Sequence, residues 1–388
     1  MAKKTAQKKL PGRLAAEIQM PPAEVRFTDE LEALAAADQQ ERPDGWKLSP
    51  AAVVDFICGR DGEKIRVPGK RKPVEITRKF IGPRDVIQRC VVTLVGERGL
   101  LLVGEPGTAK SMLSELLAVA ISGSGSLTIQ GTAGTTEDQI RYGWNYAMLL
   151  DRGPCPEALV PSPILSGMRA GRIVRFEEVT RCLPEVQDSL ISILSERRLM
   201  IPELTGEPGS VFAAPGFNLI ATANLRDRGV SEMSAALKRR FNFETIAPIA
   251  DARQEMDLVA TAAAAALARP GRQPHIDEAL VEHLVTIFRD LRSGRTPEGW
   301  QVHRPSTVMS TAEAVAVVTS IAREAAFFPS GFDPLSRLPG HLLGVVIKDD
   351  ATDRRRLLAY WDGPVKRRAE EGTALWKRLW NQRDQLES

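Results

Sequence analysis

The sequence contains few of the residues that build metal centres, disulfide frameworks or membrane spans. Only four cysteines and four histidines occur in 388 residues, and neither type clusters at the spacing of a zinc site. No run of 18 or more apolar residues is present, so no membrane-spanning helix is expected. The basic N-terminus has no apolar segment behind it, which argues against a secretory signal. We therefore expect a cytoplasmic protein with reduced thiols in or near its core.

An excess of charge of one sign is also lacking. Lys and Arg number 52 against 49 Asp and Glu, for a net charge of +3, which is too near balance to indicate nucleic-acid binding. Hydrophobic residues make up 43% and charged residues 26%, as in ordinary globular proteins. The length predicts two or three domains.

Composition and periodicity divide the chain into five segments. We expect a basic, proline-containing and mostly disordered tail over residues 1–45, followed by a lead-in segment over 46–79. Over 80–250, strand-length apolar runs alternate with helical patterns, which predicts an α/β domain with a five-stranded parallel sheet flanked by helices. Helical spacing alone predicts an all-helical domain over 251–350 and a basic amphipathic helical segment over 351–388. The predicted strands are 100–103, 126–130, 173–176, 217–222 and 243–249, and the tail is predicted to contain one helix, 29–38.

A glycine-rich segment lies where the first predicted strand ends and a helix begins. Its sequence, GEPGTAKS over residues 104–111, follows the pattern G-x-x-x-x-G-K-[ST] with Ala109 at the second glycine. Glycines let backbone N–H groups point at phosphates, and the helix N-terminus adds partial positive charge. Lys110 would reach the β- and γ-phosphates, and Ser111 would offer its hydroxyl to Mg²⁺. The predicted nucleotide-binding residues are Gly104, Glu105, Pro106, Gly107, Thr108, Ala109, Lys110, Ser111 and Met112.

Polar side chains also follow two later predicted strands. Glu177 and Glu178 come directly after residues 173–176. In P-loop enzymes the first such acid holds the Mg²⁺ shell and the second polarises the attacking water. Glu177 is one methylene longer than the usual aspartate, so its metal contact can run through water. Arg175 is unusual within a strand and can point away from the sheet core. Asn224 ends the next strand, where an amide either orients the hydrolytic water or forms a turn.

In their order and spacing, these motifs resemble those of AAA+ ATPases of the MoxR type. GEPGTAKS resembles the Walker A motif, RIVRFEEVTR the Walker B motif, and FNLIATANLRDRGVSEMSAALKRRF the sensor 1 strand with the arginine-finger helix. The resemblance covers about residues 80–325. It implies a Mg²⁺-dependent ATPase that assembles into a homo-oligomeric ring, expected to be a hexamer, with ATP at the subunit interfaces.

The resemblance also implies roles for individual residues. Asn224 matches sensor 1, and Arg240 best matches the arginine finger, which stabilises charge on the transferred phosphoryl group in the neighbouring subunit. Arg239 is the close alternative. Arg304 is the nearest candidate for sensor 2, although it precedes Pro305. Residues 131–170 match an insert that can face a ring pore or a partner, or pack on its own subunit.

Three functions remain open from the sequence. The resemblance implies remodelling or maturation of partner proteins, and family members typically act with proteins that carry a von Willebrand factor A domain. The basic residues near both ends favour a nucleic-acid-directed motor of a restriction or defence system, although no zinc finger or helix-turn-helix motif supports it. The departures at Ala109 and Glu177 favour a nucleotide-gated scaffold with very slow hydrolysis.

Overall fold

The computed structural model describes residues 18–67, 72–204, 209–224, 229–268, 275–329, 333–348, 350–372 and 374–387. The chain forms two compact units. The first, here called the α/β unit, comprises the chain up to Gly104 and Ala109–Ile246; the second, the helical unit, comprises Glu105–Thr108 and Ala247–Ser388. Within the described residues, no helix combines the length and the apolar character needed to cross a membrane.

The α/β unit alternates strands and helices along most of its length. Its strands are β1 (Lys64–Ile65), β2 (Val74–Glu75), β3 (Gly99–Val103), β4 (Thr128–Gln130), β5 (Tyr142–Trp144), β6 (Leu159–Pro161), β7 (Ile173–Glu177), β8 (Arg198–Met200), β9 (Ser210–Phe212), β10 (Asn218–Ala223) and β11 (Phe241–Thr245). Its helices are α1 (Ala23–Arg26), α2 (Thr28–Ala37), α3 (Pro50–Cys58), α4 (Arg84–Val95), α5 (Lys110–Ser122), α6 (Glu137–Ile140), α7 (Tyr146–Arg152), α8 (Pro163–Ala170), α9 (Pro184–Asp188), α10 (Leu190–Glu196) and α11 (Ala235–Lys238).

Five of the strands form one parallel sheet in the order β11-β3-β10-β7-β4. Strands β3 and β10 are buried along their whole length, as expected when helices cover both faces of a parallel sheet. Alternate residues of β3 face opposite sides: Leu100 and Leu102 join a core with α3, α4 and α5, whereas Leu101 and Val103 join a core with α8 and α10. This arrangement confirms the predicted fold class.

The last strand of the sheet differs from its predicted position. The prediction placed it at 243–249, but β11 begins at Phe241 and ends at Thr245. The N–H of Ile246 still donates to the carbonyl of Val103 at 2.7 Å. Pro248 follows two residues later and has no N–H to donate, so the pairing cannot continue.

The segment predicted to be a disordered tail is folded over the part that the structure describes. Helix α2 lies within one residue of the predicted helix, and Ala33 and Leu34 are buried in the same core as Phe56. The N–H of Ala23 donates to the Glu115 carboxylate on α5 at 2.9 Å. Of the alanines in α2, Ala33 is buried, whereas Ala35, Ala36 and Ala37 are exposed, so Ala33 and Leu34 attach the helix to this core. Residues 1–17 of the predicted tail lie outside the described residues.

The helical unit has its own apolar core. Its helices are α12 (Ala252–Leu267), α13 (Glu278–Ser293), α14 (Thr311–Phe327), α15 (Pro334–Val346), α16 (Thr352–Tyr360), α17 (Lys366–Glu370) and α18 (Ala374–Trp380), with a π-helical turn at Trp361–Val365 and a 3₁₀ turn at Arg383–Leu386. Leu357, Trp361, Leu379 and Leu386 belong to the same core as Leu284 on α13. The described residues after 350 are therefore part of the helical unit rather than the separate segment that the sequence predicted, because their apolar side chains complete its core.

A buried ion pair joins the C-terminal helices to this core. Asp290 on α13 accepts hydrogen bonds from Tyr360 (2.7 Å) and from the guanidinium of Arg368 (2.9 Å). The same guanidinium donates twice to Glu298, at 2.8 Å each. These bonds lower the pKa of Glu298 to about 2, whereas burial raises the pKa of Asp290. Arg368 thus neutralises two acids at once, and one of them is buried.

Replacing Arg368 by Met should destabilise the helical unit by about 3 kcal/mol, because removal of one partner leaves an uncompensated buried charge on Asp290. Urea unfolding followed by tryptophan fluorescence can measure this, since Trp300, Trp361, Trp376 and Trp380 all lie in the helical unit. Arg355→Met is the matched control, because Arg355 is exposed and should change stability by less than about 0.5 kcal/mol. Equal unfolding midpoints for the two variants would contradict the role assigned to Arg368.

Candidate functional site

The glycine-rich loop connects β3 to α5, as predicted. Two of its residues have left-handed backbone conformations: Gly107 at φ 76° and Ala109 at φ 65°. The Thr108 hydroxyl donates to the carbonyl of Glu105 at 2.9 Å, and the Nζ of Lys110 donates to the carbonyl of Gly104 at 3.0 Å. The second glycine of the P-loop pattern is therefore replaced by a residue that still adopts the glycine conformation.

A close approach explains why Gly107 must be glycine. Gly107 belongs to the helical unit, as does Ser310. A Cβ added at Gly107 would lie 2.2 Å from the Cβ of Ser310, which is too close for any side chain. Ser310 caps the N-terminus of α14, and its side chain and that of Glu313 form a capping box. Ser310 therefore lies against Gly107 of the loop. The S-x-x-E pattern of Ser310 and Glu313 was a sequence signal for the helix cap, but it did not predict the contact with Gly107.

The predicted sensor 2 residue lies elsewhere in the same segment. Arg304 precedes α14 outside any helix, and its guanidinium donates to the carbonyl of Ser293. Its side chain also covers Gly294, where an added Cβ would meet the guanidinium at 2.7 Å. These contacts anchor Arg304 to the end of α13. Its assignment as sensor 2 stays a prediction.

The parallel register brings the predicted acids and the asparagine to one edge of the sheet. Strand β10 pairs with β7 up to Ala221 opposite Phe176, and with β3 up to Ala223 opposite Val103. The carboxyl ends of all three strands meet at this edge. Glu177 ends β7, and Glu178 follows it; Asn224 follows β10, and Gly104 follows β3.

Glu177 is 4% exposed, and three side chains hold its carboxylate. Its Oε1 accepts from Ser114 on α5 at 2.5 Å and from Arg175 at 2.8 Å. Its Oε2 accepts from the hydroxyl of Thr222 on β10 at 2.9 Å. A buried carboxylate requires such partners. The sequence analysis assigned Glu177 to the metal but did not find Ser114 or Thr222, whose only signal was a hydroxyl within an apolar helix face or strand.

Glu178 is held by the predicted sensor. The Nδ2 of Asn224 lies 2.8 and 3.0 Å from the two carboxylate oxygens of Glu178, and the Nε of Arg181 lies 3.5 Å from Oε2. The backbone of Glu178 is left-handed, with φ 55°, and its N–H donates to the hydroxyl of Thr222 at 2.9 Å. A non-glycine residue in this conformation is often found at functional sites. The structure thus places the two residues in direct contact, which the sequence did not predict.

The residues at this edge suit a nucleotide and its metal ion. Gly107 leaves room for the loop to turn, and Ala109 directs the backbone into the N-terminus of α5, where N–H groups can face phosphate oxygens. The buried Oδ1 of Asn224 has no hydrogen-bond partner among the residues that the structure describes. Such an acceptor can take a hydrogen bond from a group that the site binds. The hydroxyl and carboxylate donors of Ser111 and Glu177 are of the kind that Mg²⁺ prefers.

The two candidate arginine fingers have different environments. Arg240 donates to the hydroxyl of Ser195 at 2.8 Å and to the carbonyl of Ala236 at 2.9 Å. Arg239 is exposed, and its guanidinium forms no hydrogen bond or ion pair with any residue that the structure describes. Both follow α11 at the start of β11. Arg239 is therefore the one whose guanidinium faces solvent.

The insert over 131–170 has a packed part and an exposed part. Tyr142 and Trp144 on β5 contact edge to face at 6.0 Å between ring centroids, and the hydroxyl of Tyr142 donates to Glu203 at 2.8 Å. Helix α7 has no buried residue, and Tyr146 and Leu150 on it are 70% and 90% exposed. Tyr142 and Trp144 thus pack within their own chain, and a pore- or partner-facing role for α7 stays a prediction.

Restoring the second glycine of the loop should stabilise the α/β unit. An L-residue in the left-handed region costs about 1–2 kcal/mol, whereas Ala→Gly loses about 0.4–1 kcal/mol through the unfolded chain. We therefore expect Ala109→Gly to raise the free energy of unfolding by about 0.5–1 kcal/mol, as measured by urea unfolding.

The matched control is Ala118→Gly, which makes the same exchange inside α5. There the backbone is helical and the side chain is buried, so the variant should lose about 1 kcal/mol or more. If Ala109→Gly destabilises as much as Ala118→Gly, the left-handed conformation of Ala109 is not strained.

Two family models match successive parts of the chain. The AAA domain of the dynein-related subfamily matches residues 99–241, and the YehL-like AAA+ ATPase C-terminal domain matches residues 253–387. The chain is 48% identical over 369 residues to the uncharacterized protein YehL of Escherichia coli K12, covering 95% of this chain and 98% of that protein. It is 30% identical over 147 residues to an uncharacterized protein of Staphylococcus haemolyticus, covering 37% of this chain and 53% of that protein.

Solved structures show weaker likenesses. A mutant of RuvB from Thermotoga maritima has a TM-score of 0.45 at 15% identity, over 74% of this chain and 79% of that chain. NtrX from Brucella abortus in complex with ATP has a TM-score of 0.45 at 14% identity, over 79% of this chain and 69% of that chain. TM-scores this low do not support an inference about function. The family rests on the near full-length match to YehL and on the two successive family models. The chain belongs to the YehL family of AAA+ ATPases.

Proposed function

We propose that the chain is a Mg²⁺-dependent ATP hydrolase of the MoxR type, and that it remodels or matures partner proteins. The observation that carries the proposal is the contact between Asn224 and Glu178 at the sheet edge where the glycine-rich loop also begins. A carboxylate held by an amide at this edge is suited to activate and orient a water molecule. The contact unites two motifs that the sequence analysis assigned separately.

Each step of the proposed reaction uses groups of this chain. The backbone of the loop and the Nζ of Lys110 hold the β- and γ-phosphates, once Lys110 exchanges the carbonyl of Gly104 for phosphate oxygens. Ser111 and Glu177 hold the Mg²⁺ shell. Bound Mg²⁺ would neutralise charge on the phosphates.

The remaining steps concern the attacking water. Glu178 accepts its proton, and Asn224 orients it through the Oδ1 that has no partner among the described residues. Asn224 contacts both carboxylate oxygens of Glu178, and Arg181 lies beside Oε2. Because a carboxylate offers about four lone-pair positions, one position remains to accept the proton.

The assembly that we propose is a homo-oligomeric ring, with a hexamer expected from the resemblance to MoxR-type ATPases. A guanidinium from one subunit would stabilise the phosphoryl charge in the next. We favour Arg239 over Arg240 for this role, because Arg240 is tied to Ser195 and Ala236 of its own chain. By the same resemblance, the partner is a protein that carries a von Willebrand factor A domain.

A nucleotide-gated scaffold with very slow turnover is the second candidate. The observation that favours it is that both acids are engaged within the chain: Glu178 by Asn224 and Arg181, and Glu177 by Arg175. Turnover per site separates the two candidates. A remodelling ATPase is stimulated when its partner is added, whereas a scaffold hydrolyses about one ATP per assembly event with or without it.

Glu178→Gln should bind ATP with nearly the parent affinity but hydrolyse it at least about 100-fold more slowly, since general-base catalysis contributes about 10²–10⁴-fold. Lys110→Ala should lose nucleotide binding. Fluorescent ATP titration and phosphate release measure the two properties. Glu185→Gln is the matched control, because Glu185 is exposed on α9. This variant should hydrolyse ATP at the parent rate. Parent-like hydrolysis by Glu178→Gln would remove Glu178 from the proposed role.

A mixing experiment tests whether an arginine acts on the neighbouring subunit. Lys110→Ala subunits have a finger but no working site, and Arg239→Ala subunits have a site but no finger. Each alone should be inactive, and an equal mixture should recover about one quarter of the parent rate, because half of the sites are intact and half of their neighbours carry the finger.

Two further variants complete that experiment. Lys238→Ala removes an exposed positive charge from the same helix and serves as the control, with the parent rate expected. Arg240→Ala should keep more activity than Arg239→Ala. Recovery in mixtures with Arg240→Ala, together with full activity of Arg239→Ala, would assign the finger to Arg240 instead.

A further inference from the structure

Arg175 is a largely buried cation within β7, the strand that Glu177 ends and Glu178 follows. Its side chain is 13% exposed, and all five N–H donors of its guanidinium are used. They reach side chains on α5 and β4, two backbone carbonyls and the neighbouring acid: Ser114 Oγ at 2.9 Å, Thr128 Oγ1 at 3.4 Å, the carbonyls of Gly125 at 3.2 Å and Ser111 at 3.0 Å, and Glu177 Oε1 at 2.8 Å. The guanidinium therefore fixes the first turn of α5 and the carboxylate of Glu177 together.

The hydrogen bonds of Glu177 leave little of its carboxylate for a metal ion. An ionised carboxylate offers about four lone-pair positions. Ser114 and Arg175 occupy those of Oε1, and Thr222 occupies one of Oε2. One position remains, on Oε2. Mg²⁺ demands near-ideal octahedral geometry and keeps several of its waters. A carboxylate held in this way is therefore better placed to accept a hydrogen bond from a metal-bound water than to bind the metal directly.

The charge of Glu177 is also balanced within the chain. The Arg175–Glu177 pair is largely buried, with side-chain exposures of 13% and 5%, so solvent screens it less than a surface pair. The net charge that this pair presents to a divalent cation is close to zero. Of Glu177 and Glu178, only Glu178 then attracts the cation. Arg181 lies 3.5 Å from the Glu178 carboxylate.

We propose that Arg175 is a positioning residue that holds Glu177 in the outer coordination sphere of Mg²⁺ and cancels its charge, so that the metal–nucleotide complex binds more weakly than at an unpaired acid. The proposal rests on the proposed ATPase function. It concerns how this site takes up its metal, and it follows from an arginine whose five donors converge on the acid and on α5.

The test is a Mg²⁺ titration of fluorescent mant-ATP binding to the full chain. Affinity measured in EDTA gives the metal-independent baseline for each variant. The half-saturating Mg²⁺ concentration is the one that gives half of the metal-dependent gain in affinity. Arg175→Met should lower this concentration at least about threefold, because Glu177 then presents an unpaired negative charge. Arg175→Lys keeps the charge and should stay near the parent value. Arg172→Met, at the amino end of the same strand, is the matched control.

Substitution of the acid itself provides a test that leaves Arg175 in place. Glu177→Gln should raise the half-saturating Mg²⁺ concentration by about 10- to 100-fold at most, which is the usual effect of losing an outer-shell partner of a metal ion. The loss of a direct ligand would raise it by more than about 100-fold. In the double variant Arg175→Met/Glu177→Gln, the gain seen with Arg175→Met alone should disappear, because it depends on the freed carboxylate.

Three outcomes would overturn the proposal. A rise of more than about 100-fold with Glu177→Gln would make Glu177 a direct ligand, even if Arg175→Met does not fold. An unchanged Mg²⁺ dependence in Arg175→Met, together with a lower melting temperature and weaker binding in EDTA, would leave Arg175 with a structural role alone. A gain that persists in the double variant would show that Glu177 is not the group that Arg175 restrains. Failure of the parent protein to bind mant-ATP would instead refute the proposed function.

Discussion

The parallel pairing of β10 between β3 and β7 is the constraint on which the rest of the site depends. Because all three strands run in the same direction, their carboxyl ends meet at one edge, and three separate motifs arrive there together. Thr222 near the end of β10 makes this register specific: its hydroxyl donates to the carboxylate of Glu177 and accepts from the N–H of Glu178. Side chains in a strand alternate between faces, so a shift of one residue would turn Thr222 away and separate Asn224 from Glu178. The chemistry of the edge thus depends on backbone hydrogen bonds within the buried sheet.

In each unit an arginine compensates the negative charge of a buried acid. A buried acid is unfavourable unless it is paired and hydrogen-bonded. In the α/β unit Arg175 pairs with Glu177, and in the helical unit Arg368 pairs with Asp290. The consequences differ because the surroundings differ. Arg368 joins the C-terminal helices to the helical core, whereas Arg175 lies beside the proposed metal position, where its charge acts on whatever the site binds.

Much of the fold could be predicted because its signals are local. Apolar runs on β3, β7 and β10 predict buried strands, and their alternation with helices predicts a parallel sheet. The errors have physical causes. The end of the last strand depends on where Pro248 interrupts pairing. The segment at 28–37 looked like a tail because it buries only Ala33 and Leu34, and these side chains gain stability only when a neighbouring core is present. The tryptophans and leucines after residue 350 indicated a helix, but not the core that they complete.

The sequence by itself determined the order of the motifs, the fold class and the identity of the loop, acid and asparagine residues, because each is encoded within a few neighbouring residues. Only the tertiary structure decided which groups they contact. Ser114 and Glu177 are 63 residues apart, and Thr222 and Glu177 are 45 apart, so their hydrogen bonds exist only once helix and strands have packed. The same holds for Ser310 against Gly107, and for the different environments of Arg239 and Arg240. Local sequence specifies the chemical groups, whereas long-range packing fixes their distances, charge partners and exposure.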